Sequence, residues 1–295
     1  MRYTSLMAGF LLLGQAVLMA RQPGDRLQND LNGFLDKWHP DATAGNLQSG
    51  FDSALLLMGI FDQYGLTGTM LIFDPDKNLL SGYNPARWDS GYLPASTFKV
   101  ANLLIGLETG VVDTNYIFKW DGKKRSLPQW EKELTLQEAF RVSCVPCFQE
   151  MARMIGPDRM NLYLEKMGYP GMDIHPDNID LFWLEGNSRI SPRQQVGFLQ
   201  RLYEEKLPLK TSVMQEVKAI LVNETTPGYT LSGKTGWAIR NGNNYGWFVG
   251  WVETKGKIYF IATLVEPKNQ KKVEDFAITR KRITMEALKC LGILE

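Results

Sequence analysis

Residues 94–99 read Pro94-Ala95-Ser96-Thr97-Phe98-Lys99, and the apolar run Val100 to Leu107 follows directly. If a helix begins here, the three-residue spacing puts the Ser96 hydroxyl and the Lys99 amine on one face. Serine is a poor nucleophile at neutral pH until a neighbouring base takes its proton, so the pairing has chemical meaning. By itself Ser-x-x-Lys arises about once by chance in a chain of this length. A second motif, Lys234-Thr235-Gly236, has a chance expectation below roughly one in ten. The stretch also divides the chain, because the strand-like pattern before it turns helical after it.

Upstream, Gly68 to Phe73 and Leu79 to Tyr83 flank the turn-forming Asp74-Pro75-Asp76-Lys77 and read as a β-hairpin. Downstream, Val100 to Leu107, Leu136 to Phe140, Arg159 to Met167 and Pro192 to Tyr203 show helical spacing up to about Leu207. Strand character then returns in Tyr229 to Ile239, Gly246 to Glu253 and Ile258 to Val265, with Asn241-Gly242 and Lys255-Gly256 at the bends. A helix from about Asp275 to Leu291 closes the chain. The fold class is α+β: an antiparallel sheet flanked by terminal helices, with an inserted all-helical lobe. The expected division is an α/β lobe at 21–92 and 208–295, a helical lobe at 93–207, and an active site in the cleft between them.

The 295 residues carry 44% hydrophobic content, enough for a substantial core, and Lys+Arg 33 against Asp+Glu 32 leaves no basic face for nucleic acid. Arg2, the apolar stretch Leu6 to Leu18 and Ala20 read as a secretory leader at 1–20. Export to the periplasm follows, without stable membrane association after cleavage. Leu27, Leu31, Phe34, Leu35 and Trp38 form an amphipathic helix candidate with no assigned function. Three cysteines do not make a disulfide framework; Cys144 and Cys147 are expected as small buried apolar residues, with a local bridge as the alternative, and Cys290 as core.

Only His39 and His175 are present, both in polar, proline-flanked segments, so a Ser-His-Asp triad and a zinc site are not expected. Lysine is left as the base. Lys99 can accept a proton near neutral pH only if its surroundings penalise the ammonium by about 4 kcal/mol or more. Phe98, Val145 and Phe182-Trp183-Leu184 are the available apolar walls. Ser143, between the two lysine motifs, is a candidate relay for a proton to a leaving nitrogen.

Pro94 to Lys99, Ser143-x-Val145, Phe182 to Gly186 and Lys234-Thr235-Gly236-Trp237, together with Leu107 to Gly110 and Gly250 to Glu253, resemble the class D serine β-lactamases, the oxacillinases. The resemblance implies a β-lactamase/transpeptidase-like fold and hydrolysis of the β-lactam ring of penicillin-type antibiotics. It implies Ser96 as nucleophile and Lys99, Ser143 and Lys234 as the other catalytic groups. Lys99 would carry a carboxylate derived from CO2 or bicarbonate, with Val145 and Trp183 lining that pocket. The backbone N–H groups of Ser96 and Trp237 would form the oxyanion hole. Thr235, Gly236, Trp237 and Arg280 would bind substrate, Arg280 being preferred over Arg282 for the substrate carboxylate. No metal or organic cofactor is expected, and the protein would be a monomer or homodimer. Tyr169-Pro170-Gly171 departs from the family's Tyr-Gly-Asn, and residues 21–54 exceed what the family needs. Two alternatives remain: a penicillin-sensing domain, or a D,D-peptidase that holds its acyl-enzyme.

Overall fold

Strands joined by tight turns place antiparallel partners side by side, and in the computed structural model they build one six-stranded sheet. The structure describes residues 44–240, 243–268 and 275–295. The expected leader and the amphipathic candidate at 27–38 lie outside them. Strand β1 (Leu66–Asp74) pairs with β2 (Leu79–Tyr83), so the hairpin forms as read. A separate ribbon joins β3 (Ile117–Phe118) to β4 (Leu134–Thr135). The sheet is completed by β5 (Val222–Thr225), β6 (Tyr229–Arg240), β7 (Asn243–Thr254) and β8 (Lys257–Pro267). Its order is β2-β1-β8-β7-β6-β5, every pair antiparallel, so the first hairpin docks on the last strand.

Side chains alternate along a strand, and both faces of the central strands are apolar here. On β7, Trp247, Val249 and Trp251 enter one buried cluster while Phe248 and Val252 enter another; on β8, Phe260, Ala262 and Leu264 alternate with Ile261 and Val265 in the same way. Helices must therefore cover both faces. One face carries α1 (Ala44–Gln63), through Leu57, Ile60 and Phe61, together with the C-terminal helix. The other carries the inserted helices α2 (Lys99–Glu108), α3 (Leu136–Arg141), α4 (Val145–Ile155), α5 (Pro157–Lys166), α6 (Pro192–Tyr203) and α7 (Thr211–Leu221). The C-terminal helix is α8 (Phe276–Cys290). No helix among the described residues is long and apolar enough to cross a membrane.

Local sequence fixes the ends of these helices. Thr135 caps α3 in a reciprocal box with Glu138, and Ser191 caps α6 with Gln194, each satisfying two backbone donors. Helices α1, α4 and α7 lie outside the stretches read from periodicity. Cys290 is exposed, against its expectation as core. The buried stripe of α8 runs through Ile283, Thr284, Ala287 and Leu288, and position 290 falls off it.

Gly68 in β1 has φ +143, and a Cβ there would stand 2.0 Å from the Leu264 carbonyl oxygen. Gly68→Ala is expected to lower the melting temperature by about 6–12 °C, from a cost of about 3 kcal/mol. Calorimetry checks this, and an unchanged melting temperature would contradict the close β1–β8 approach.

Candidate active site

The chain reaches Ser96 through a 3-10 turn, Ala95–Phe98, that runs straight into α2. The turn begins with strain: Ala95 has φ +50, a left-handed value that costs a non-glycine residue roughly 1–2 kcal/mol. Contacts on several sides hold it there. Ala95 N–H donates to the Trp183 carbonyl at 2.9 Å; Trp247 Nε1 donates to the Leu93 carbonyl at 3.1 Å, and Leu93 N–H to the Tyr245 hydroxyl at 2.9 Å. Thr97 Oγ1 donates to the Pro94 carbonyl and accepts from Gln195 Nε2 of α6, both at 2.7 Å.

Helical spacing then brings the two expected groups together. Lys99 Nζ lies 2.8 Å from Ser96 Oγ, with Ser96 half-exposed and Lys99 at 0% exposure. The amine sits 5.4 Å from the centre of the Phe148 ring. Burial, with the Lys234 charge as a second cause, holds the Lys99 ammonium well below its ordinary pKa. The amine is thus poised to be neutral, the form that accepts a proton.

A second amine faces the first from β6. Lys234 Nζ donates to Ser143 Oγ at 2.9 Å and to the Thr235 carbonyl at 3.0 Å, 5.6 Å from the Phe140 ring centre. Burial and the Arg280 charge bring its pKa down to about 7. Ser143 stands in the short link between α3 and α4 with φ +55. Val145 opens α4, half-buried, three residues before the Phe148 that faces Lys99.

β5 leaves β6 early. The two pair only from Thr225–Thr230 to Val222–Ser232, so from Gly233 onward β6 has a strand neighbour on one side, β7. The turn bearing Ser96 packs close to this stretch: a Cβ on Gly236 would meet the Pro94 carbonyl oxygen and Thr97 Cγ2 at 3.1 Å each. A side chain there would push the turn back by a few tenths of an ångström. In an antiparallel ladder alternate N–H groups point away from the partner strand, so this edge turns backbone donors outward.

Arg280 projects from α8 to the same place. Its guanidinium donates to the Gly236 carbonyl and, at 2.9 and 3.1 Å, to the Ala277 carbonyl, beneath the Trp237 ring at 5.5 Å. Gly246 makes room for it, since a Cβ there would meet Arg280 Cδ at 2.2 Å. Burial lowers the Arg280 pKa to about 10. Arg282, two residues on, is exposed. Trp237 is 43% exposed, with Nε1 donating to Asn244 Oδ1 at 2.7 Å.

Trp183 is fully buried and stacks on Phe98 at 5.5 Å, next to Lys99; its indole N–H has no hydrogen-bond partner among the described residues. Lys99, Lys234 and Arg280 have no carboxylate partner among the described residues. Buried cations without counter-ions are costly, which pushes Lys99 and Lys234 toward their neutral forms and leaves Arg280 as the lasting charge.

The penicillin binding protein transpeptidase domain family matches residues 68–283. Beta-lactamase OXA-5 of Pseudomonas aeruginosa is 40% identical over 238 residues, covering 79% of this chain and 87% of that protein. The solved class D β-lactamase YbXI from Nostoc is 41% identical with a TM-score of 0.76, covering 80% of this chain and 98% of that one. The enzyme from Sebaldella termitidis is 36% identical with a TM-score of 0.77, over 81% and 97%. The chain belongs to the class D serine β-lactamases.

Several residues of this β-lactamase site escaped the sequence reading. Phe148 and Phe140, not only the walls expected from Phe98 and Phe182–Leu184, lie over the two amines. Phe148 was findable as the residue three on from Val145, on the same helix face. Gln195, beneath the turn that bears Ser96, carries no local signal. Cys144 and Cys147 are buried as expected, and they are also bridged, the alternative that the sequence had offered. The first turn of α4 brings their Cα atoms within 5.4 Å, inside bridging range.

The two lysines also shape stability. Their folded pKa values lie below the unfolded value near 10.5, so between about pH 7 and about pH 10 the unfolded chain binds more protons and stability rises with pH. Lys234→Met is expected to flatten that rise. Denaturant unfolding across this window checks it, and an unchanged slope would contradict the buried amine's role.

Proposed function

We propose that the β-lactamase hydrolyses its substrates through an ester on Ser96, with Lys99 as the seat of the base for acylation and deacylation. One observation carries the reading: Ser96 Oγ lies 2.8 Å from a fully buried amine that burial drives toward neutrality. Ser96 Oγ attacks the lactam carbonyl and loses its proton on the Lys99 side. The C–N bond opens, and the ring nitrogen takes a proton through Ser143, backed by Lys234, whose pKa of about 7 suits transfer in either direction. Water then attacks the ester and Ser96 leaves with its proton restored.

The surroundings of Lys99 fit an Nζ-carboxylate. A neutral amine is the form that reacts with CO2, and the unpartnered Trp183 indole N–H is a buried donor suited to a carboxylate oxygen. Such a group, held by Trp183 and shielded by Val145, would supply an anionic base able to activate water as well as the serine.

Backbone N–H groups of Ser96 and Trp237 are the proposed oxyanion donors, each worth about 3–4 kcal/mol to the transition state. Arg280, Lys234 and Thr235 are proposed to hold the substrate carboxylate, where Arg280 offers a planar fork and Lys234 a point charge. The cleft between the helical segment 93–207 and the strands would admit the substrate. A cleaved leader at 1–20 would deliver the enzyme to the periplasm, where its substrates enter.

Lys99→Ala is expected to cut kcat/KM for nitrocefin by about 10³-fold or more, and bicarbonate is expected to raise wild-type turnover. Trp183→Phe should need more bicarbonate for half-maximal rate. Undiminished turnover in Lys99→Ala would sink the mechanism; a stable penicillin adduct in the wild type would favour the sensor or peptidase reading.

A further inference from the structure

We propose that Cys144 and Cys147 are positioning residues for the Ser143 hydroxyl: their bridge fixes the turn that holds Ser143 against Lys234. The inference rests on reading Ser143 and Lys234 as the proton path.

Only residues 142–144 separate α3 from α4, and Ser143 takes the left-handed conformation that non-glycine residues avoid. Its own packing does not enforce this, since the residue is half-exposed. The neighbours do. Ser143 N–H donates to the Phe140 carbonyl at 3.1 Å and Cys144 N–H to the Ala139 carbonyl at 2.8 Å, which anchors the turn to α3. On the other side Cys144 is the cap of α4, its Sγ accepting from Cys147 N–H at 3.3 Å and bonded to Cys147 Sγ. Ser143 is thus clamped between a hydrogen-bonded helix end and a covalent one.

The same bridge reaches the other amine. Cys147 precedes Phe148, whose ring faces Lys99 Nζ, so a shift of the first turn of α4 would move the wall of the Lys99 pocket as well. A bridge closing so short a loop restrains the unfolded chain little, because that effect grows with loop length. Its consequence is local geometry, where a displacement of about 1 Å can cost about 10²-fold in rate.

Reduction tests this directly. A dithiol reductant gives two electrons and two protons to the bridge, becoming a cyclic disulfide and leaving two thiols. The full-length enzyme is reduced with dithiothreitol, freed of reagent under argon, and its thiols counted, from one (Cys290) to three. Nitrocefin kinetics and melting temperature are then measured for both forms. Reduction is expected to lower kcat about 10-fold, with KM within about twofold, and reoxidation to restore it. Cys144→Ala/Cys147→Ala should show the same fall and ignore the reductant. In Ser143→Ala the effect of reduction should shrink to the smaller part that runs through Phe148, a non-additivity that a merely structural bridge would not produce. The positioning role is overturned if the three-thiol enzyme keeps its oxidised kcat, or if reduction slows Ser143→Ala as much as wild type. Absence of turnover in the oxidised enzyme would instead overturn the reading of the site, and this role with it.

Discussion

Lys99 is buried beside Ser96 with no carboxylate to neutralise it, and much of the surrounding structure answers to that placement. A paired buried lysine would keep its proton and be useless as a base; an unpaired one gives up the proton because water is gone. The protein must therefore exclude both solvent and acid from one end of α2. Phe98, Phe148 and Trp183 are all fully buried around that helix end, and Ser96 itself remains half-exposed one turn earlier. A 3-10 turn achieves this split, because its tight winding keeps Ser96 within reach of Lys99 while facing outward. Strain at Ala95 is the cost, and the bonds from Trp183, Trp247, Tyr245 and Gln195 hold the turn in place.

The second constraint is the open edge of β6. If β5 began earlier and paired with β6 beyond Ser232, Gly233 onward would have a strand neighbour on both sides. The chain there is the end of α7 instead, and Asn223, at the start of β5, donates through Nδ2 to the Leu221 and Gly233 carbonyls at 2.8 Å each. Gly236 and Gly246 then clear space on two sides, one for the turn and one for the Arg280 stem. The Lys-Thr-Gly motif thus combines chemistry and sterics: the lysine supplies charge, and the glycine supplies absence of a side chain.

Sequence revealed the parts whose logic is local. Ser96 with Lys99 follows from helix spacing, β1 with β2 from a turn between apolar runs, and α6 from its three-to-four spacing. The α+β fold was legible because strand-like segments at both ends of the chain enclose a helical stretch. Long-range consequences were hidden. Phase alone left Arg280 and Arg282 as rivals, and only the packing of α8 over Gly246 separates them. The Cys144–Cys147 bridge needed α4 to begin at residue 145, a start that periodicity did not announce. Gln195 and Phe140 act on groups 98 and 94 residues away in sequence, where no pattern reaches.

The departure at Tyr169-Pro170-Gly171 becomes intelligible from the same constraint. Tyr169 is buried, edge-on to Phe98 at 5.9 Å and to Phe198 at 4.8 Å, so it backs the aromatic group next to Lys99. Its hydroxyl lies near Thr97 and Gln195, and burial raises its pKa, so it stays a neutral phenol beneath the nucleophile turn. Gly171 has φ +79 and its missing Cβ would meet the Arg189 carbonyl oxygen at 2.1 Å, while Gly171 O accepts from Arg189 N–H at 2.7 Å. The chain pinches here, and just past Arg189 the Tyr92–Ile190 bridge joins it to the segment leading into Ser96. The segment needs an apolar ring with a neutral polar tip and a residue without a side chain at the pinch. Tyr169 and Gly171 meet both needs, and Pro170 between them adds stiffness to a link whose task is support.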